Sequence, residues 1–280
     1  MKRGGYFFLF LNFWRNNHRN SEAVGSLINK LNYCPSMPRS IRFKKKTLKV
    51  IGESYLLRHS HRQKFGKTSE YGVPKLTEYG IKAALSVGKK ISRHSENAAF
   101  IKVWYSPVER SRETAEIIGR ALGQDSGKRV VGRIGSREEL GGRLVLDSER
   151  FNEYWERFPG VQKFIRAWLD GKIDRQTVVP AKEVVKELLQ KFSTLQRLRD
   201  RTRKYGTKVP GFVTVSITHD MLIMACLEMF TGKKFESFGA NVNPNAGLRF
   251  YHLSDGRTIL EFRRKRFDVT SKLRKLLAEN

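Results

Sequence analysis

From Lys46 onward, short β-branched and aromatic runs alternate with longer stretches whose apolar residues return every three or four positions. A first strand ends at Leu57. After a polar loop with Gly66, Gly72 and Pro74, a helix introduced by Thr77 and Glu78 carries Ala83, Ala84, Val87 and Ile91 on one face. Phe100–Tyr105 reads as a second buried strand. Ser106-Pro107 then opens a helix in which Val108, Ala115, Ile118 and Leu122 recur on one side. Strand, helix, strand, helix in this order predicts parallel pairing in an α/β fold.

Past Val130 the rhythm is less regular: a short Val/Ile strand, the turn Gly141-Gly142, and two helical stretches rich in Trp and Phe around Phe151–Leu169. A longer helix, Ala181–Arg203, offers Val184, Val185, Leu188, Leu189, Phe192, Leu195 and Leu198 for burial. Residues 132–210 are therefore expected to form an inserted helical cap. A strand at 213–218 and a helix over Met221–Phe230 follow. Gly247–Leu253 and Thr258–Phe262, joined by Ser254-Asp255-Gly256-Arg257, predict a hairpin. The expected architecture is a three-layer sandwich in residues 47–280, with a mostly parallel central sheet flanked by helices.

Composition adds a sign. The 280 residues hold 55 Lys and Arg against 27 Asp and Glu, a formal net charge of +28. Such a field concentrates anions of every kind. Residues 1–46 carry a single acid, Glu22, and are expected to be a poorly ordered basic extension in which Met37 is an alternative start. The apolar stretch Tyr6–Trp14 weakly imitates a secretory signal and is too short to span a bilayer, so no integral membrane span is expected. Cys34 and Cys226 alone make no disulfide framework, which suits a reducing compartment such as the cytoplasm. Lys44-Lys45-Lys46, Arg197–Lys204 and Arg263–Arg266 could each follow a phosphate backbone, but they lack interleaved aromatics. Nucleic acid is a secondary expectation, behind a phosphorylated small molecule or polyanionic substrate.

The candidate chemistry lies at strand ends. Arg58-His59-Ser60-His61-Arg62 directly follows the first strand, and Thr218-His219-Asp220 closes the 213–218 strand. Open α/β sheets place ligands at this edge. Neighbouring guanidinium groups disfavour imidazolium, so His59 keeps a lone pair with which to attack phosphorus, flanked by Arg58 and Arg62. Arg110 sits in the first turn of a helix, where free amides also favour an anion. Arg112 lies about 200° further round and faces elsewhere. His219 would donate to a phosphoryl oxygen, and Asp220 would protonate the leaving group, with Glu138 and Glu139 as rival acids. His61 is expected at the rim, pointing away from His59. His59-x-His61 with His219-Asp220 also has metal-ligand spacing, but Arg58 and Arg62 would repel a divalent cation, so neither metal nor other cofactor is expected.

These motifs resemble the histidine phosphatase superfamily, whose members share Arg-His-Gly at the end of the first strand. Arg58-His59-Ser60-His61-Arg62 and the late His219-Asp220 pair are most similar to the acid phosphatase and phytase branch. Ser106–Ala115 is similar to the segment carrying the second signature arginine in phosphoglycerate-mutase-like members. The resemblance implies a phosphoglycerate mutase-like fold and a metal-independent phosphomonoesterase with a phosphohistidine at His59. Arg58, Arg62, Arg110 and His219 would bind phosphate, and Asp220 would donate the proton. Mutase-like transfer is the alternative. Ser60 in place of glycine and the absence of proline after Arg62 are departures.

Overall fold

The computed structural model describes residues 40–43, 46–63, 75–94, 98–124, 130–131, 134–190, 211–239 and 241–278. Tyr6–Trp14, Met37, Lys44-Lys45, the loop around Gly66 and Gly72, and the far half of the expected 181–203 helix lie outside these residues.

The chain enters through β1 (Ser40–Phe43), inside the segment expected to be a basic extension, and pairs it antiparallel with the start of β2 (Lys46–Arg58). Helix α1 (Glu78–His94), β3 (Ala98–Tyr105) and α2 (Glu109–Gln124) follow in the anticipated order. Two short strands, β4 (Val130–Val131) and β5 (Gly135–Ser136), both pair parallel with β3. Next come α3 (Ser148–Arg157), α4 (Val161–Leu169) and a helix, α5, described over 181–190. The chain closes with β6 (Gly211–Thr218), α6 (Asp220–Thr231), β7 (Gly247–Leu253), β8 (Thr258–Phe262), β9 (Lys265–Asp268) and α7 (Thr270–Ala278).

The sheet runs β4-β3-β6-β2-β7-β8-β9. It is mixed: β3, β6 and β2 are parallel, and the half from β7 to β9 is antiparallel. Pleat alternation assigns its faces. Tyr55, Leu57, Ile101, Val103, Val213, Val215 and Ile217 are buried with residues of α1 and α2 on one side. Leu56, Leu248, Phe250 and Leu260 are buried on the other with Leu222, Ile223 and Leu227 of α6. Phe164, Trp168, Val185 and Leu189, from the segment expected to be a cap, belong to that same cluster. Each such side chain contributes about 1.5–3 kcal/mol when fully buried.

Register decides where the strands stop. Arg58 stands opposite Thr218 and Tyr105 opposite Ile217. The His59 amide donates to Thr218 O (2.9 Å) and the Ser106 amide to Ile217 O (2.9 Å). β5 ends beside Tyr105, whose carbonyl accepts the Arg137 amide at 2.8 Å. Four segments therefore leave the sheet at one edge.

Candidate active site

Arg110 joins the two strand-end histidines. Its Nε donates to His59 Nε2 at 3.0 Å and its Nη2 to His219 Nδ1 at 3.4 Å. The imidazoles meet edge to face with centroids 5.4 Å apart. His59 Nδ1–H donates to the Ser60 carbonyl (2.8 Å), which leaves the Nε2 lone pair facing the arginines. His219 donates from Nε2 to Ser106 Oγ at 3.0 Å. Arg112 is turned outward, bonded to Glu109 and Glu116, as the 200° separation requires.

Burial, reinforced by Arg110 and then by Arg58 and Arg62, lowers the pKa of His59 to about 3 against the opposing pull of its Ser60 bond. The same combination holds His219 well below the usual imidazole range, burial first and Arg110 second. Both rings are thus neutral near physiological pH. Arg110 is itself lowered to about 10 by burial and by Arg62, and it remains a cation.

Arg58 donates from Nη1 to Val242 O (2.6 Å) and pairs with Asp220 Oδ2 (3.1 Å), while its buried Nε has no hydrogen-bond partner. Arg62 is half-buried, sits in a bridge with Leu76, and donates to Gln63 O. His61 bonds Thr77 and edges against Tyr79 on the exposed rim. Among the described residues no group of three or more His, Cys, Asp or Glu side chains is arranged to hold a metal ion. Cys226 is buried in α6, where burial pushes its thiol pKa up and keeps it protonated.

The carboxylates separate by environment. Asp220 begins α6; its Oδ1 accepts the Met221 amide at 3.0 Å and its Oδ2 holds Arg58. Glu138 and Glu139 lie in a 3₁₀ turn, Glu138–Leu140, delivered by β5. Thr218 Oγ1 donates to Leu140 O at 2.7 Å, and a Cβ on Gly141 would come within 2.9 Å of the His219 ring. Gly141 has φ 110, so glycine serves both the turn and the close approach. The Glu138 carboxylate is half-exposed over Gly142 and Pro107, 4.0 Å from Arg143 Nε.

Sequence reasoning missed the residues that hold these groups: Ser106, Thr114, Val242 O and Asn245. Ser106 was findable, because it follows a strand end directly. Beside Arg58 and Asp220 opens a cleft of about 430 Å³, with Val161, Ile165, Met224 and Val242 as apolar wall and Lys163 and Asn241 among its polar groups.

Comparison with known families matches residues 54–265 to the histidine phosphatase superfamily (branch 1), and the chain belongs to that family. The expected placement in the acid phosphatase and phytase branch is corrected by this match: it leaned on Arg62 closing the Arg58–Arg62 motif and on the His219-Asp220 pair, whose Asp220 is occupied with Arg58 and the start of α6. A search of curated proteins finds no match. Among solved structures, the mycobacterial glucosyl-3-phosphoglycerate phosphatase Rv2419c is similar at 15% identity, covering 71% of this chain and 89% of that one, with a TM-score of 0.49. YhfR of Bacillus stearothermophilus shares 17% identity over 72% and 95% of the two chains, at 0.45. The putative phosphohistidine phosphatase SixA of Agrobacterium tumefaciens shares 12% over 71% and 91%, at 0.36. Likenesses this distant bear on no substrate.

Proposed function

We propose that the protein is a phosphomonoesterase that transfers the phosphoryl group of its substrate to His59 Nε2 and then to water. The observation that carries this reading is the direct bonding of Arg110 to both His59 and His219 at a single sheet edge. A phosphate dianion entering there meets three guanidinium groups, enough positive charge to neutralise its oxygens, while His219, whose N–H is committed to Ser106 Oγ, steadies Arg110 rather than donating to the phosphate. As Arg110 turns to a phosphoryl oxygen it releases the His59 lone pair it holds, so binding and activation of the nucleophile are one movement. Arg58 Nε supplies a further donor.

In the first step the P–N bond forms, the P–O bond to the alcohol breaks, and the departing oxygen takes a proton. In the second, water attacks phosphorus, the same acid takes back a proton, and the P–N bond breaks to release inorganic phosphate. For that acid we assign Glu138 over Asp220. Both oxygens of Asp220 already accept bonds, which suits it to aiming Arg58, whereas Glu138 is carried by the turn that abuts His219.

Phosphate release from a panel of phosphomonoesters, with wild type and His59→Ala in parallel, tests this. Activity should disappear with the imidazole, along with acid-labile labelling of the protein by ³²P substrate. Retention of most activity in His59→Ala would reject the assignment.

A further inference from the structure

We infer that Ser60 and Asn245 are positioning residues that act as one brace on the His59 imidazole; the inference rests on His59 being the phosphoryl acceptor. Ser60 stands where the family resemblance leads one to expect glycine, and it is fully buried. Every polar group it has is used. Its amide donates to Thr114 Oγ1 (3.0 Å), its hydroxyl donates to Gly80 O (2.6 Å), and the same oxygen accepts from Asn245 Nδ2 (2.7 Å). Its carbonyl receives His59 Nδ1–H. Thr114 passes the connection on, donating to Arg110 O at 2.7 Å.

Asn245 closes the arrangement from the far side. Its own amide donates to Arg58 O at 3.1 Å, so backbone and side chain grip the nucleophile loop on both sides of His59. It does so at φ 60, in the left-handed region where glycine would be at ease. Glycine would relax the backbone and lose the amide.

The consequence concerns a tautomer. Attack on phosphorus needs the lone pair on Nε2, and that requires the proton on Nδ1, held by the Ser60 carbonyl. Two side-chain bonds from Ser60 Oγ, one to α1 and one to the approach to β7, fix the direction of that carbonyl. A glycine at position 60 keeps the carbonyl but leaves only the bond to Thr114 to orient it. Once phosphate has drawn Arg110 off Nε2, the imidazole then exchanges into the Nε2–H form, which has no lone pair for phosphorus.

The test compares wild type, Ser60→Gly, Asn245→Gly and the double variant by ¹⁵N-histidine NMR and by hydrolysis of p-nitrophenyl phosphate. With inorganic phosphate present to draw Arg110 off Nε2, wild-type His59 should show the Nδ1–H tautomer alone, and both single variants a mixture. Their kcat should fall about tenfold, as small misalignments of a nucleophile do, with KM and inhibition by inorganic phosphate nearly unchanged. The double variant should lose no more than either single, because the two residues form one unit. Glycine suits φ 60, so a loss in Asn245→Gly is not backbone strain; Asn245→Asp, which lacks the donor, substitutes should that variant fold poorly. An unaltered tautomer in the single variants, losses that multiply in the double, or an effect confined to KM would overturn the inference. If wild type hydrolyses no phosphomonoester the enzymatic reading fails, and the NMR comparison still decides the brace.

Discussion

An imidazole that stays neutral when its surroundings turn acidic destabilises the fold in a calculable direction. Folded His59 takes its proton only near pH 3, while the unfolded chain does so near the ordinary 6.5. As pH falls through that window the unfolded state binds a proton that the native state refuses, so stability is lost at about 1.4 kcal/mol per pH unit from this group. His219 acts in the same direction. Urea denaturation between pH 7.5 and 5 should therefore show stability falling on acidification, and less steeply in His59→Asn; equal slopes would contradict the buried neutral pair. The carboxylates admit a comparable test through the leaving group. Glu138→Gln should slow hydrolysis of alkyl phosphates far more than that of p-nitrophenyl phosphate, whose alcohol leaves without help. Asp220→Asn, which frees Arg58, should instead raise KM on both alike. A reversal of the two patterns in steady-state kinetics would return the acid's role to Asp220.

Elements with strong periodicity were legible in the sequence: β2, α1, β3, α2, β6, α6 and the β7–β8 hairpin all stand where the apolar rhythm places them. So was the edge bearing His59, Arg110 and His219, because the two histidines follow directly on buried strands and Arg110 lies in the first turn of the helix that comes after one. What was hidden depended on tertiary pairing. β1 alternates only over Ser-Ile-Arg-Phe, four residues inside a basic run, β5 is two residues long, and β9 follows β8 through Arg263-Arg264, a turn with no Gly, Asn or Asp to announce it. Those two arginines have φ 48 and 66, a conformation costing about 1–2 kcal/mol in a residue with a Cβ. Arg263 has a use that explains its place: it donates to Phe238 O and Asn241 O, pinning the loop whose next carbonyl, Val242 O, receives Arg58. Arg264→Gly should raise Tm by about 2–4 °C, the equivalent of about 1 kcal/mol, without altering turnover. Arg263→Gly relieves the same strain, yet should lower kcat/KM by about fivefold or more as Arg58 loses its anchor. Differential scanning calorimetry beside a p-nitrophenyl phosphate assay distinguishes them, and equal kinetics in the two variants would remove Arg263 from the support of Arg58.

For the whole molecule, the question is what a net charge of +28 does. The described part of the surface argues against a polymer track at one candidate run, since Arg263 is committed to loop carbonyls and Arg266 bonds Glu261 and Arg42 O. Lys44-Lys45 and Arg197–Lys204 lie outside the described residues. No described helix is long and apolar enough to cross a membrane. A field of one sign acts at long range, however, and a mouth lined by Arg58, Arg62 and Arg110 is where it would be felt by a small dianion. Raising ionic strength from 0.01 to 0.15 M shortens the screening length from about 30 to about 8 Å. If the charge serves to gather substrate, kcat/KM for a phosphomonoester should drop several-fold over that range while kcat barely moves, because chemistry inside the hollow is shielded from salt. If the charge serves a nucleic acid instead, kcat/KM should be nearly flat with salt, and duplex DNA should be retained at 0.15 M without competing for hydrolysis. Stopped-flow kinetics across the salt series, with and without DNA, separates a steering field from a binding surface.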